Sequence, residues 1–270
     1  MPDTLSAERE RYLKRRVRSR RAVKCAQLAL LILIFALWEI AARRRWIDPF
    51  ITSSPSRIWK TFRNLYASGD LFRHLGVSCI ETVAGFTLGT VAGTLIAVLL
   101  WWFPGLRRVL DPYLVVLNSL PKTALGPIFI VWMGAGPGAI IAMTLAISLI
   151  VTILQVLGGF CAVDPGKINL MKSLGASRLQ TLFKLVIPAN AATFVDALKV
   201  NVGLSWVGVI MGEFLVSRAG LGYLIVYGSQ VFKMDLVMAT VILLLIAAAG
   251  MYQGVLLLEK ALKKHLGGFA

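Results

Sequence analysis

Six stretches of this chain are almost free of charge, and they alternate with segments crowded with lysine and arginine. The apolar stretches cover residues 23–42, 76–103, 112–133, 138–160, 189–216 and 236–258. A helix rises about 1.5 Å per residue, so ~20 apolar residues cross a hydrocarbon core. Each stretch reaches that length. The pattern predicts an all-α, polytopic membrane protein with about six transmembrane helices. The third stretch differs from the others because prolines interrupt it.

The gaps set the orientation. With the N-terminus inside, the inner segments hold 18 lysines and arginines and the outer segments hold nine. Positive residues collect on the cytoplasmic side, so both termini are expected there. Nine of the inner cations lie in residues 1–24 and outweigh Arg43, Arg44 and Arg45 on the far side of the first span. Glu39 and that arginine run suit a retained span better than a cleaved leader. The chain then divides into a basic tail (1–22), a transmembrane domain (23–258) with an inner loop at 161–188, and a short tail (259–270), set in a plasma membrane.

Composition sharpens this. Hydrophobic residues make up 57% of the 270 and charged residues only 16%, with a net charge of +16. A soluble domain usually carries about a quarter charged residues. The positive balance raises nucleic acid as a partner. Its distribution excludes that, because the cations lie in the gaps and no aromatic platforms interleave them. Lipid is the expected surrounding. Cys25, Cys79 and Cys161 lack metal spacing and read as buried small apolar residues in or beside the spans. His74 and His265 stand alone, so no metal site is expected.

Several local signals refine the spans. Ser54 can cap a helix that begins at Pro55. Ile58, Trp59, Phe62, Leu65 and Tyr66 then share one face, with Lys60, Arg63 and Asn64 opposite. Such a helix either lies in the outer interface or packs on the ends of the spans. Gly85, Gly89 and Gly93 recur every four residues in span two, where small residues let a second helix approach.

Span three contains Asn118, Pro121, Lys122, Gly126 and Pro127. Proline removes a backbone donor and clashes with the preceding turn, so Pro121 and Pro127 should interrupt the helix. Irregular backbone at that depth is tolerated where it is buried in protein or lines a cavity. Asn118, Pro121, Lys122 and Pro127 are therefore candidates for a pathway, the competing reading being a packing kink. Lys122 should face protein, water or the inner interface.

Beyond the first span and Lys122, four charged residues lie within spans: Glu81, Asp196, Lys199 and Glu213. Asp196 and Lys199 have the spacing to pair, or Lys199 meets an anionic substrate. Glu213 sits near the outer end of span five, where it should reach water. No ladder of carboxylates crosses the membrane, which argues against proton coupling.

The inner loop is the most informative segment. Asp164 can cap a helix with Pro165 in its first turn, and Gly175 can end it in a left-handed conformation. Ser177 and Gln180 have capping-box spacing for a second short helix. Ile168, Met171 and Leu174 recur at helical spacing as an exposed apolar stripe that wants a partner surface.

This loop resembles the cytoplasmic loop of ATP-driven importer permeases, which carries EAA, three residues, G, nine residues and I-x-L-P. Gly175 takes the glycine, and Leu185, Ile187 and Pro188 take the closing positions. Asn169, Leu170 and Met171 stand where EAA would, so the acidic-small-small part is missing. Residues 53–56 with the following helix, 117–134 with its Pro-Lys-Thr-Ala-Leu-Gly-Pro core, 203–206 and 220–223 resemble the nitrate/sulfonate/taurine-type permeases. The resemblance covers about residues 50–258.

It implies a type I ABC importer permease fold, with two copies pairing as a homodimer. Each loop would dock on a cytoplasmic ATP-binding subunit through Ile168, Asn169, Met171, Leu174, Gly175, Ala176, Ser177 and Pro188. An extracytoplasmic substrate-binding protein would deliver a small anion or small polar organic solute. Lys199 and Trp206 join the pathway candidates. The chain has no G-x-x-x-x-G-K-[ST] run and no nucleophile–base pair in a plausible site. It is expected to be neither an enzyme nor a cofactor protein, with ATP bound by the partner ATPase. The rival readings are a secondary transporter or channel, which needs intramembrane coupling charges or a repeated broken helix, and a membrane enzyme or scaffold.

Overall fold

A computed structural model describes residues 7–266, and every regular element among them is helical. Residues 1–6 and 267–270 of the expected tails lie outside the described residues. Helix α1 (Ala7–Arg43) is continuous from the basic tail through the first apolar stretch. Almost none of its apolar part is buried. It is fastened at its far end, where Glu39 accepts the Ser56 N–H at 3.0 Å and the Arg43 Nε at 2.7 Å.

A single turn, α2 (Pro49–Thr52), follows, capped by Asp48. Ser54 then caps α3 (Pro55–Ser68) by accepting the Arg57 N–H. Ile58 is buried, Phe62 and Leu65 are half-buried, and Trp59 and Tyr66 are exposed. Gly69, at φ +80°, turns the chain into α4 (Asp70–Trp102). A left-handed residue at a tight helix–helix corner favours glycine.

The broken span starts earlier than 112. Phe103 leaves the helical region before Pro104, and Pro104 opens α5 (Pro104–Ser119), where its missing N–H costs nothing. Pro112 therefore lies inside α5 without ending it. After Leu120 and Pro121 come a 3₁₀ turn (Lys122–Leu125) and α6 (Gly126–Met133). The two arms of the span meet at 88°. Pro127 sits in the first turn of α6, where proline is tolerated, so the interruption is at Pro121 alone.

Next come α7 (Pro137–Cys161), α8 (Pro165–Ser173) and α9 (Arg178–Thr181). A π-helical turn (Leu182–Val186) leads to α10 (Ile187–Ala189) and α11 (Ala191–Val216). The chain closes with α12 (Leu221–Gln230) and α13 (Met234–Leu266). Five helices among the described residues are long and apolar enough to cross a membrane, and six spans result when the bent pair counts as one. The six-span, all-α architecture read from the sequence is thus the one observed.

Helix α7 is the spine, gripped between α4 and α11. Gly85, Gly89 and Gly93 of α4 lie against Thr144, Ser148 and Thr152 of α7. Each of these hydroxyls donates to the carbonyl four residues before it, at 2.8–2.9 Å. They present a smooth surface with no unpaired donor. From the other side, Gly208 and Gly212 of α11 meet the Thr144 and Ile140 backbones of α7. Small residues on both sides let three helices close without a hydrophobic driving force between them. The expected burial of the cysteines is not observed: Cys25 and Cys161 are exposed and Cys79 is half-buried.

Candidate functional site

The elbow at 164–188 is built from local caps. Asp164 accepts the Gly166 N–H at 2.8 Å and opens α8. At the other end Gly175, at φ +76°, donates to Lys172 O at 2.9 Å, and Ala176 donates to Met171 O at 3.0 Å. This pair of bonds is a Schellman motif, which requires the left-handed glycine. Ser177 and Gln180 then satisfy each other's backbone N–H groups at the start of α9. The turn is therefore rigid on both sides of Gly175.

The elbow is anchored to the bundle behind it. Leu182 and Val186 are buried in one cluster with Leu100, Val156 and Phe160. The π-turn that holds them ends just before Pro188, whose ring would otherwise crowd the carbonyl of Lys184. Ile168 turns inward and packs against this same cluster, and Met171 is half-buried. That corrects the expected stripe: of Ile168, Met171 and Leu174, only Leu174 is fully presented, at 74% exposure, and Leu170 accompanies it. The reason is that Ile168 packs against the buried cluster shared by α4, α7 and the π-turn, which claims that side of α8. Asn169 and Ser177 are exposed, Ala176 is half-buried, and Pro188 stands in α10.

The broken span collects part of the second candidate group. Leu120 and Pro121 are extended, and Lys122 reaches back across the break to donate to Asn118 O at 2.9 Å. Asn118, Pro121 and Pro127 are exposed and Lys122 is half-buried. Gly126 is buried against Leu215 and Met143, which seats α6 on α11 and α7. Val131 and Trp132 on α6 are left facing outward.

Lys199 and Trp206 are not brought to this surface. Lys199 pairs with Asp196 at 3.1 Å and also with Glu259 of α13 at 3.0 Å. Two carboxylates already hold its charge, so an anionic substrate would have to displace them. Trp206 is only 5% exposed and packs among Leu198, Val202, Leu221 and Leu243. Both were pathway candidates, and both belong to the frame of the single chain.

Glu213 overturns its expectation more sharply. Far from reaching water, it is 1% exposed. It accepts the Ser78 hydroxyl and the Gly222 N–H. Leu221 donates to Ser78 Oγ at 2.7 Å, and Gly220 donates to His74 Nδ1 at 3.0 Å. Three successive N–H groups at the start of α12 thus find His74, Ser78 and Glu213, side chains of α4 and α11. They take the place of an N-cap that Gly220 cannot supply. The isolated look of His74 concealed this role. The available signal was that His74, Ser78 and Glu81 fall on one helical face of an otherwise apolar span. A second polar tie lies deeper: Asn201 donates to Thr90 and Thr152, joining α11 to α4 and α7.

Residues 85–266 match a family described as binding-protein-dependent transport system inner membrane component. The chain is 27% identical to the aliphatic sulfonates transport permease protein SsuC of Bacillus subtilis, over 88% of this chain and 86% of that protein. It is 28% identical to the formylaminopyrimidine transport permease protein ThiX of Halalkalibacterium halodurans, over 71% and 76%. It is 23% identical to the taurine transport system permease protein TauC of Escherichia coli, over 87% of each. Among solved structures, an inward-facing form of the MetNI methionine ABC transporter aligns with a TM-score of 0.56 and 19% identity. The alignment covers 77% of this chain and 98% of that one. At that identity the likeness speaks for the fold.

Proposed function

This chain belongs to the family of binding-protein-dependent transport system inner membrane components, and on that footing we propose how it is driven and what it carries. It is a multi-pass membrane protein, the permease subunit of an ABC importer. In our reading the elbow and both termini face the cytoplasm, in line with the excess of lysine and arginine in those segments. There α8 seats on a separate ATP-binding subunit through Leu170, Leu174 and the Gly175 turn. That subunit binds and hydrolyses the ATP, and this chain carries no cofactor. Two copies pair, and the broken spans at Asn118, Pro121 and Lys122 border the route between them. A substrate-binding protein delivers cargo at the opposite face.

The cargo is a small anion or a small polar organic solute, a class that includes the sulfonates and taurine named for the relatives. The observation that carries the coupling role is the elbow itself. A rigidly capped helix presents exposed leucines away from the spans while Ile168, Leu182 and Val186 root it in their core. Movement of α8 is thereby transmitted to α4, α7 and α11.

Gly175→Val tests this. A Cβ at Gly175 meets nothing within 4 Å, so the obstacle is the left-handed backbone, which a β-branched residue resists. The variant should insert into the membrane normally and lose ATP-driven uptake of an aliphatic sulfonate or taurine in vesicles. Uptake at the normal rate by that variant would overturn the coupling role.

A further inference from the structure

A groove of about 560 Å³ opens between the elbow and the ends of α4, α5 and α7. Trp101, Arg107, Phe160, Ile168, Lys172 and Arg178 line it. Three of these are cations from three different elements: Arg107 on α5, Lys172 on α8 and Arg178 on α9. None of them forms an ion pair among the described residues. Arg107 donates to Cys161 Sγ at 2.6 Å. The Arg178 guanidinium lies 5.2 Å from the Trp102 ring centre and 5.9 Å from that of Trp101. The neighbouring carboxylates are not paired with the set: Asp164 caps α8 through the Gly166 N–H, and neither it nor Asp111, one turn beyond Arg107, forms an ion pair with these cations among the described residues.

Three like charges gathered around one groove repel one another unless an anion joins them. The groove also has a defined depth. Trp101 and Trp102 end α4, and tryptophan at the end of a span marks the headgroup level of a bilayer. Beside the groove Phe103, Leu106, Leu179 and Phe183 expose apolar side chains, a surface suited to acyl chains. Cations at headgroup depth next to an apolar wall match one class of ligand.

We propose that this groove binds the phosphate-bearing headgroup of an anionic phospholipid. The lipid lies behind α8, on the side opposite Leu174, so it wedges the elbow without competing for its outward face. Occupancy would set the angle of α8 and tie coupling to membrane composition. The proposal goes beyond the transport reading, and its test uses no ATPase, so either can fail without the other.

The test is lipid retention by the full chain in nonionic detergent, read by native mass spectrometry with phosphatidylglycerol and phosphatidylcholine. Wild type should retain phosphatidylglycerol in preference. A basic residue near an anionic surface contributes ~1 kcal/mol, roughly fivefold in affinity. Arg107→Gln, Lys172→Gln and Arg178→Gln should each weaken retention about fivefold, and the triple variant on the order of a hundredfold. Removing three outlying cations, Lys60→Gln, Arg63→Gln and Lys233→Gln, should leave it unchanged. Unchanged retention in all three single variants would overturn the site even if the triple variant fails to fold, as would equal loss in the outlying control. Displacement of phosphatidylglycerol by inorganic phosphate at equal concentration would overturn it in favour of a free-anion site.

Discussion

Glu213 on the last turn of α11 accepts the hydroxyl of Ser78 on α4 at 2.5 Å, while its second oxygen takes the Gly222 N–H. One buried side chain thus fastens the start of α12 to two spans. Glu213→Ala leaves two buried donors without an acceptor, each costing about 1–3 kcal/mol. The expected loss is about 2–6 kcal/mol, seen as a lower thermal midpoint of the purified protein in detergent. Glu213→Gln keeps one carbonyl acceptor and should lose roughly 1 kcal/mol. Equal midpoints for Glu213→Ala and wild type would show that the clamp contributes nothing.

The glycines along the spine are not equivalent. A Cβ on Gly208 would stand 2.6 Å from the Thr144 Cα, which is backbone and cannot step aside. A Cβ on Gly89 would meet the Ser148 hydroxyl, the movable end of a side chain. Gly208→Ala should therefore force α11 off α7 and cost about 1–3 kcal/mol or more. Gly89→Ala should be milder, because rotation of Ser148 and the better helix propensity of alanine, ~1 kcal/mol, offset the contact. Thermal unfolding of the two variants side by side checks the order, and the reverse order would refute the packing argument.

The pairing of Lys199 predicts a null result for transport selectivity. Its ammonium is held by Glu259 and Asp196, so it is a strut between α11 and α13. Lys199→Met paired with Glu259→Gln should leave the KM for a sulfonate substrate unchanged in vesicle uptake. Lys199→Met alone should lower the folded yield, since it removes the ion-pair tie between α11 and α13. A raised KM in the double variant would return Lys199 to the substrate route.

What could be read in advance follows from the range of the forces. The spans were legible because ~20 apolar residues satisfy a bilayer whatever their neighbours do. The elbow was legible because Asp164, Gly175, Ser177 and Gln180 each act within four residues of themselves. Glu213 was not legible, since its partner Ser78 lies 135 residues away and its place near a span end pointed to water. The stripe at Ile168, Met171 and Leu174 correctly marked a helix. Which side of that helix would be covered depended on Phe160 and Leu182, supplied by other elements. Pro112 misplaced the start of the broken span because Pro104, with Phe103 before it, holds the position where proline opens a helix.

Leu174 offers the cleanest separation of folding from coupling. It is exposed, it closes no cap through its side chain, and it lies outside the buried clusters. Leu174→Asp should leave insertion and thermal stability as they are. If α8 is the ATPase-docking helix, a carboxylate in place of a leucine anchor puts an unpaired charge into an apolar contact. Losing such an anchor typically costs 2 kcal/mol or more, so capture of the ATP-binding subunit should weaken by at least about tenfold. Lys167→Gln, at the exposed start of the same helix, should have little effect. Equal capture by Leu174→Asp and wild type, measured as co-purification of the ATPase with the tagged permease, would place the docking surface somewhere other than the elbow.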